Sequence, residues 1–321
     1  MDEQIVFGDR MIHVKLPNRT QVASPGISIP FPPVQNLRGA IQEALRNPLG
    51  LPPLAELAKP GWKVTIAFDD PTVPCFAPVR EPAIRLVLEE LDRAGVKKRD
   101  IFLLGANALH RKFTHRELAK VIGKNLVEEF GYRLFCHDAE NPQNLSYLGT
   151  TVSGCDVEVN RLVTDSNLTV CLNTVVWRGF NGGWKSICVG LSTYRSIRWH
   201  HSPEGMFMSL ERNPTHEMLN EMGARLEEEL GERRIFKIET VLANPLQVAH
   251  VWYGILATYP LKRLRHAGRV FVAGAEKPSL AAHLGLEPKD TVEAAIAEAE
   301  EIHGKDASIV FFRNPLIGSR Q

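Results

Sequence analysis

Cysteine is sparse and unpaired: five thiols in 321 residues (Cys75, Cys136, Cys155, Cys171 and Cys188), with no C-x-x-C pair. That scattered, odd-numbered set argues against a disulfide framework or a structural zinc site and fits reduced thiols in a cytoplasm. Charge of either sign is not in excess. With 38 basic and 37 acidic residues the formal charge is +1, which gives no global attraction to nucleic acid. No apolar run approaches the length of a membrane span, so no membrane is expected. The opening Met1-Asp2-Glu3 lacks the basic start of a secretory signal. Internal repeats and low-complexity segments are absent. So are the G-x-G-x-x-G fingerprint and the Walker A loop, which sets aside the standard dinucleotide and P-loop classes.

What is present is an ordinary enzyme-like composition, 44% hydrophobic and 23% charged, on a chain long enough for two domains. Apolar runs at 63–68, 100–104, 168–172, 269–273 and 308–312 predict buried strands, and alternation over 11–30 predicts a short strand pair. Helical periodicity predicts helices at 36–47, 82–95, 114–124, 215–230 and 290–303, the third opened by a Thr114/Glu117 capping box. Strands alternating with helices imply an α/β fold: a mostly parallel sheet with helices on both faces. We expect a larger N-terminal α/β domain over residues 1–255 and a smaller C-terminal α/β domain over 256–321. Ligands of such sheets bind beyond the carboxyl ends of the strands.

Four polar constellations stand out, the first two at such ends. Asp69-Asp70-Pro71-Thr72-Val73-Pro74 places two acids just past a buried run; they serve either a cofactor or catalytic group, or a turn and helix cap. Gly105–Arg111 ends in His110-Arg111. A histidine there can act as a general base and an arginine can hold a carboxylate, or the segment is a surface loop. Gly179-Phe180-Asn181-Gly182-Gly183-Trp184-Lys185 brings three glycines and a lysine together. Its backbone can approach an anion and its amine can be a covalent attachment point, though a plain turn has the same composition. Trp199-His200-His201 offers imidazoles to a metal; neighbours on a strand face opposite ways, so at most one would ligate, and a structural role is the alternative. His137-Asp138 reads as a structural loop tether.

Taken in order, these motifs resemble the lactate racemase family. Its D-D-x-T-R-P is matched by Asp69, Asp70, Thr72 and Pro74. Its G-x-x-x-L-H-R is matched by Gly105, Leu109, His110 and Arg111. Further matches are His137-Asp138-Ala139, Leu148–Thr151 with Gly154, and Val157–Arg161. Gly179-Phe180, Gly182-Gly183, Lys185-Ser186-Ile187 and Gly190 match G-F-S-G-G-x-K-S-I-x-P-G. His201 stands sixteen residues after the lysine, where the family has its metal-binding histidine. The similarity also takes in Ala44–Leu57 and Pro288–Ala307.

The resemblance implies a nickel–pincer nucleotide joined covalently to Lys185, with His201 completing a square-planar nickel site. Asp69, Asp70, Thr72, Gly182 and Gly183 are the matching cofactor-binding positions. The resemblance also implies that His110 removes the substrate's hydroxyl proton while hydride moves to the cofactor. Departures lie in substrate handling. Val175 stands where the family has its second catalytic histidine, and Val73 replaces the arginine that pairs with the lactate carboxylate. Val189 and Asn181 replace the proline and serine of the glycine-rich motif. No stretch resembles the family's C-terminal Tyr-Gln and Lys contacts, so a divergent, C-terminally shortened member is expected. The expected activity is racemisation or epimerisation of a 2-hydroxy acid other than lactate. Arg80, Arg111 or Arg178 would meet the carboxylate, and Trp177 or Val175 would shape the pocket. The alternative is a non-catalytic carrier of the nickel nucleotide. Expected partners are the small-molecule 2-hydroxy acid, the proteins that build the cofactor, and a second copy of the chain in a homo-oligomer.

Overall fold

The computed structural model describes residues 1–7, 10–23, 34–73, 75, 78–175, 182–203, 205–206, 213–231, 234–244, 247–248, 268–283 and 285–312. In chain order the strands are β1 (Asp2–Phe7), β2 (Arg10–Lys15), β3 (Gln21–Ala23), β4 (Val64–Asp69), β5 (Ile101–Ala106), β6 (Leu134–Cys136), β7 (Leu145–Thr150), β8 (Asp156–Asn160), β9 (Leu168–Val175), β10 (Ile235–Asn244), β11 (Gln247–Val248), β12 (Phe271–Ala273), β13 (Glu287–Lys289) and β14 (Val310–Phe312). The chain divides into two compact units, Phe31–Gly254 and a smaller one made of Met1–Pro30 with Ile255–Gln321.

The larger unit is built on a sheet of order β11-β10-β9-β4-β5-β6. Its last five strands run parallel and β11 lies antiparallel at the edge. Period-two alternation sends side chains to two cores. One face carries Val64, Ile66 and Phe68 of β4, Leu103 of β5 and Val170 of β9, covered by α1 (Leu37–Arg46), α2 (Leu54–Leu57), α3 (Arg80–Arg93), α4 (His115–Ile122) and α5 (Lys124–Phe130). The other carries Ala67, Leu104 and Cys171, packed under α6 (Arg161–Asp165), α7 (Lys185–Cys188), α8 (Tyr194–His200) and α9 (Pro214–Leu230), with the antiparallel ribbon β7–β8. All eight residues of β9 are buried, as a central parallel strand requires. From β4 the chain adds β5 and then β6 on one side, and β9 on the other. The switch point of the sheet therefore lies between the carboxyl ends of β4 and β9.

In the smaller unit β1 and β2 form an antiparallel hairpin, while β12 pairs β13 and β3 pairs β14 in parallel. Helices Pro278–His283 and Val292–His303 belong to it. A single division near residue 255 assigns the N-terminal residues to the larger domain; the β3–β14 ladder, Val310 opposite Gln21, places them in the smaller one instead. No helix among the described residues is long and apolar enough to cross a membrane.

Candidate functional site

The switch point is closed by Asp69, the last residue of β4, and Asp70, which follows it, and they do different work. The Asp69 carboxylate accepts the Thr174 backbone N–H, tying the end of β4 to the end of β9. Burial pushes its pKa up to about 6, against the pull of the nearby Arg80 guanidinium and the Thr174 hydrogen bonds. Asp70 is buried and turns the other way. Its Oδ1 accepts the Thr72 N–H at 2.8 Å and the Thr72 hydroxyl at 2.5 Å, and its Oδ2 meets His110 Nδ1 at 2.7 Å. The turn and the charged partner anticipated for this motif are thus one object: the Asx-type turn fixes the carboxylate that holds the histidine.

His110 reaches Asp70 because the loop after β5 doubles back. Asn107, buried, donates from its amide to the carbonyls of His110 (3.1 Å) and His137 (3.0 Å), and its own carbonyl takes the His110 N–H at 2.7 Å. Ala108 adopts φ 48°, a left-handed geometry unusual for a residue with a Cβ. The Ala108 N–H donates to the Gly190 carbonyl at 2.8 Å, which joins this loop to the turn after α7. A side chain at Gly190 would have to enter that joint, since a Cβ there comes to 2.5 Å from the Ser186 carbonyl. The His110 ring is 52% exposed and its partner Asp70 3%. With Nδ1–H given to Asp70, Nε2 is left with a lone pair on the open side, the arrangement of a general base. The Asp70 hydrogen bond raises the His110 pKa above its ordinary value, more than partial burial lowers it.

Arg80 and Arg111 are engaged within the chain. The Arg80 guanidinium is buried and donates to the carbonyls of Cys75 (2.8 Å) and Val73 (3.5 Å), bracing the loop after the acids. Arg111 is exposed and grips Glu117 through two hydrogen bonds of 2.5 and 3.0 Å, next to the Thr114 cap of α4. Each guanidinium thus has acceptors within the chain, backbone carbonyls for Arg80 and the Glu117 carboxylate for Arg111. Trp177 and Arg178 lie outside the described residues. His137 is the tether anticipated for it: Nε2 donates to the Ser192 carbonyl at 2.9 Å and Nδ1 accepts from the Asn160 amide at 3.0 Å.

The second half of the site is the segment Gly182–Lys185. Gly182 and Gly183 take φ 93° and 61°, which only glycine adopts freely. The Gly183 N–H donates to Glu239 Oε1 at 2.5 Å, and the space beside Gly182 is bounded by the Glu239 carboxylate and Val175 Cγ2, each 3.4 Å from where a Cβ would sit. Trp184 lies flat on α9 at Gly223 and takes the Lys237 ammonium 3.2 Å from its ring centroid. So anchored, α7 begins at Lys185 with its amine buried. Burial pushes the pKa of that amine well below the ordinary lysine range.

Close enough to feel the Lys185 charge are two imidazoles at the end of α8. The motif forms a helix terminus, not a strand, so the rings do not diverge: His200 closes α8, His201 is its C-cap, and the rings meet edge-on with Nδ1 to Nδ1 at 2.8 Å. Burial lowers His200 to about 3 and His201 to about 4, so both are neutral and able to offer a nitrogen lone pair. α8 is pinned by Asp156, whose carboxylate collects Arg195 (3.1 Å), Arg198 (2.8 Å), the Trp199 indole (3.2 Å) and the Tyr147 hydroxyl (3.0 Å). No group of three or more His, Cys, Asp or Glu side chains able to hold a metal ion occurs among the described residues.

Sequence reasoning passed over Asn107, Asp156, His216 and Glu239. His216 lies beside Gly183. Glu239 stands on β10, whose alternating Ile235, Lys237 and Glu239 against Phe236 and Ile238 carried a readable strand signal.

A family model for the lactate racemase N-terminal domain matches residues 7–213. A lactate racemase of Thermoanaerobacterium thermosaccharolyticum is 30% identical over 185 residues, 55% of this chain and 42% of that protein. One from Lactiplantibacillus plantarum is 28% identical over 167 residues, 51% of this chain and 38% of that protein. The matched stretch thus spans less than half the length of either curated relative. Among solved structures, the lactate racemase apoprotein from T. thermosaccharolyticum aligns with a TM-score of 0.65 over 98% of each chain at 18% identity, a likeness of fold.

Proposed function

The chain belongs to the lactate racemase family, and from that premise we propose that it is a racemase- or epimerase-like enzyme acting on a 2-hydroxy acid, with a nickel–pincer nucleotide held on Lys185. The observation that carries this reading is the buried amine of Lys185 within electrostatic reach of the His201 imidazole, which burial keeps neutral. The donor set fits the group: a lone histidine cannot hold nickel by itself, whereas a ligand with its own sulfur and carbon donors needs one imidazole more. Bound there, the group supplies a hydride acceptor that returns the hydride to the substrate carbon.

The chain's own residues divide the remaining work. Lys185 is the attachment point and His201 offers the metal a ring nitrogen. His110 takes the substrate hydroxyl proton on Nε2 and gives it back, while Asp70 holds Nδ1–H and stabilises the imidazolium; Thr72 keeps Asp70 in place. Gly182 and Gly183 let backbone approach the nucleotide. With Arg80 and Arg111 already paired within the chain, Arg178 is the candidate left for the substrate carboxylate, with Trp177 the candidate for shaping its pocket. Val73 packs against the core and Val175 is buried at the end of β9. These apolar positions stand where the family uses charge, which favours a bulkier or more apolar acid over lactate. An unpaired carboxylate would lose roughly 2–5 kcal/mol there.

The test is intact-protein mass and nickel content after co-production with the proteins that build the nucleotide. The wild type gains the mass of the nucleotide and Lys185→Ala does not; an unmodified wild type, in a host that loads a known racemase, refutes the proposal. The buried valine at the second histidine position also favours a second reading, a carrier without turnover. His110→Ala separates the two: exchange of the α-hydrogen from a labelled 2-hydroxy acid disappears in an enzyme, and loading persists in both cases.

A further inference from the structure

His200 has no exposed surface, yet its ring is polar. A ring so placed must be hydrogen-bonded to be tolerated. Its Nδ1 faces Nδ1 of His201 at 2.8 Å. At that distance one nitrogen carries a proton and the other accepts it, so the two neutral rings are locked into opposite tautomers.

Two arrangements satisfy the contact. In the first, His201 donates from Nδ1, its Nε2 is a bare lone pair, and His200 carries its proton on Nε2. In the second, His200 donates, its Nε2 is bare, and the His201 Nε2 bears hydrogen and cannot bind a metal. The surroundings of His200 choose between them. Its Nε2 is buried and has no partner at full hydrogen-bond geometry, and the backbone acceptor beside the ring is the Cys188 carbonyl. An N–H toward a carbonyl is attractive, and a lone pair toward it is repulsive. The contact therefore favours the His200 tautomer that carries its proton on Nε2. The scaffold is stiff enough to keep the rings in register, because Asp156 grips Arg195, Arg198 and Trp199 on the turns that precede them.

We propose that His200 is a positioning residue that holds His201 in the Nδ1–H tautomer, so that the His201 Nε2 lone pair is available to nickel. The proposal rests on the reading of His201 as the metal's protein ligand. Outer hydrogen bonds of this kind fix ring orientation and raise ligand basicity.

The test begins with the unloaded chain, labelled with 15N-histidine, and reads the ring tautomers at neutral pH from two-bond 1H–15N correlations, with His201→Gln for assignment. The expected pattern is a protonated Nδ1 and bare Nε2 on His201, and a protonated Nε2 on His200. In His200→Phe, which has no acceptor, His201 shifts toward the Nε2–H form. In His200→Asn, whose amide oxygen takes the place of Nδ1, the wild-type pattern returns. After loading, His200→Phe binds nickel about 10–100-fold more weakly and His200→Asn stays near wild type. A wild-type His201 protonated on Nε2, or a tautomer or nickel affinity unmoved by His200→Phe, overturns the proposal. Should His200→Phe fail to fold, the wild-type tautomers and His200→Asn still decide. A chain that never accepts the nucleotide but shows the expected tautomers sinks the function proposed above and leaves the His200–His201 arrangement standing.

Discussion

Gly223→Ala sets two known effects against each other inside α9. By helix propensity the change stabilises, by about 1 kcal/mol for a glycine in a helix interior. By packing it does the reverse. A Cβ on Gly223 would lie within 2.5 Å of three atoms of the Trp184 indole, whereas ordinary contact begins at 3.4 Å. The indole must retreat by about an ångström, away from a seat it shares with the Lys237 ammonium. Overpacking of that kind costs typically 1–3 kcal/mol, so the packing effect wins and the variant is destabilised by about 1 kcal/mol net. For a unit of this size that lowers Tm by roughly 2–4 °C. Trp184 immediately precedes Lys185, so the displacement also reaches the attachment point. Misplacement by about an ångström is enough for a loss on the order of a hundredfold in rate, and we expect slower nucleotide attachment by mass spectrometry. Trp184→Leu removes the obstacle, so in the double variant the alanine becomes neutral or stabilising, a clear departure from additivity. A higher Tm for Gly223→Ala alone would show that the indole does not bear on α9 as described.

Two further outcomes follow from the same geometry. Asp70→Asn removes the anion that raises His110, so the His110 titration followed by NMR moves to lower pH and, in the loaded protein, the acidic limb of the rate profile moves with it; an unchanged or higher midpoint contradicts the pairing. Asp156→Ala leaves Arg195 and Arg198 facing each other without their shared acceptor and frees the Trp199 N–H; thermal unfolding should show a loss of about 2 kcal/mol, discounted because the arginines are half exposed. Hydrogen exchange should then quicken in α8, carrying His200 and His201 with it.

The parts of this molecule that could be read from sequence are those whose signal is local. β4, β5 and β9 announce themselves as short apolar runs, α4 by its Thr114 and Glu117 cap, and α9 by periodicity up to Gly231. Those strands were enough to put Asp69 and His110 at the carboxyl end of a parallel sheet, whereas Lys185 was picked out by its glycine-rich segment and the family resemblance. Partnership across the chain has no such signal. Asp70 and His110 are 40 residues apart and Asp156 and Arg198 are 42 apart, and nothing in either segment names the other. The same limit explains Arg80 and Arg111. Each looks available for a substrate carboxylate until the fold supplies the Val73 and Cys75 carbonyls to one and Glu117 to the other. Adjacent histidines were expected to diverge because a strand was assumed; at a helix terminus they converge. The pairing of β3 with β14 is the longest-range case, and it overrides any division of the chain by sequence position alone.

Asp69 shows why a costly group marks this edge of the sheet. Its pKa rises from 3.8 to about 6, chiefly because burial disfavours the ionised form. For an acid raised on folding, the native state holds its proton more tightly than the unfolded chain. Below about pH 4 the group is protonated in both states and exacts no penalty. As pH climbs through about 6 the native state alone has to ionise a buried carboxyl, and stability falls. Above that window the deficit is constant, on the order of 3 kcal/mol at 1.36 kcal/mol per unit. Asp69→Asn keeps an oxygen for the Thr174 N–H and removes the charge. The variant should therefore be the more stable protein at pH 7, with the difference shrinking between pH 6 and 4 and vanishing below it, as followed by denaturant unfolding across that range. A wild type that gains on the variant as pH rises would mean that Arg80 outweighs burial and that Asp69 is a structural ion-pair partner. The deficit falls at the switch point, one residue from the carboxylate that holds His110. Stability forgone at such a place is what a functional site requires when it keeps a carboxylate beside a base.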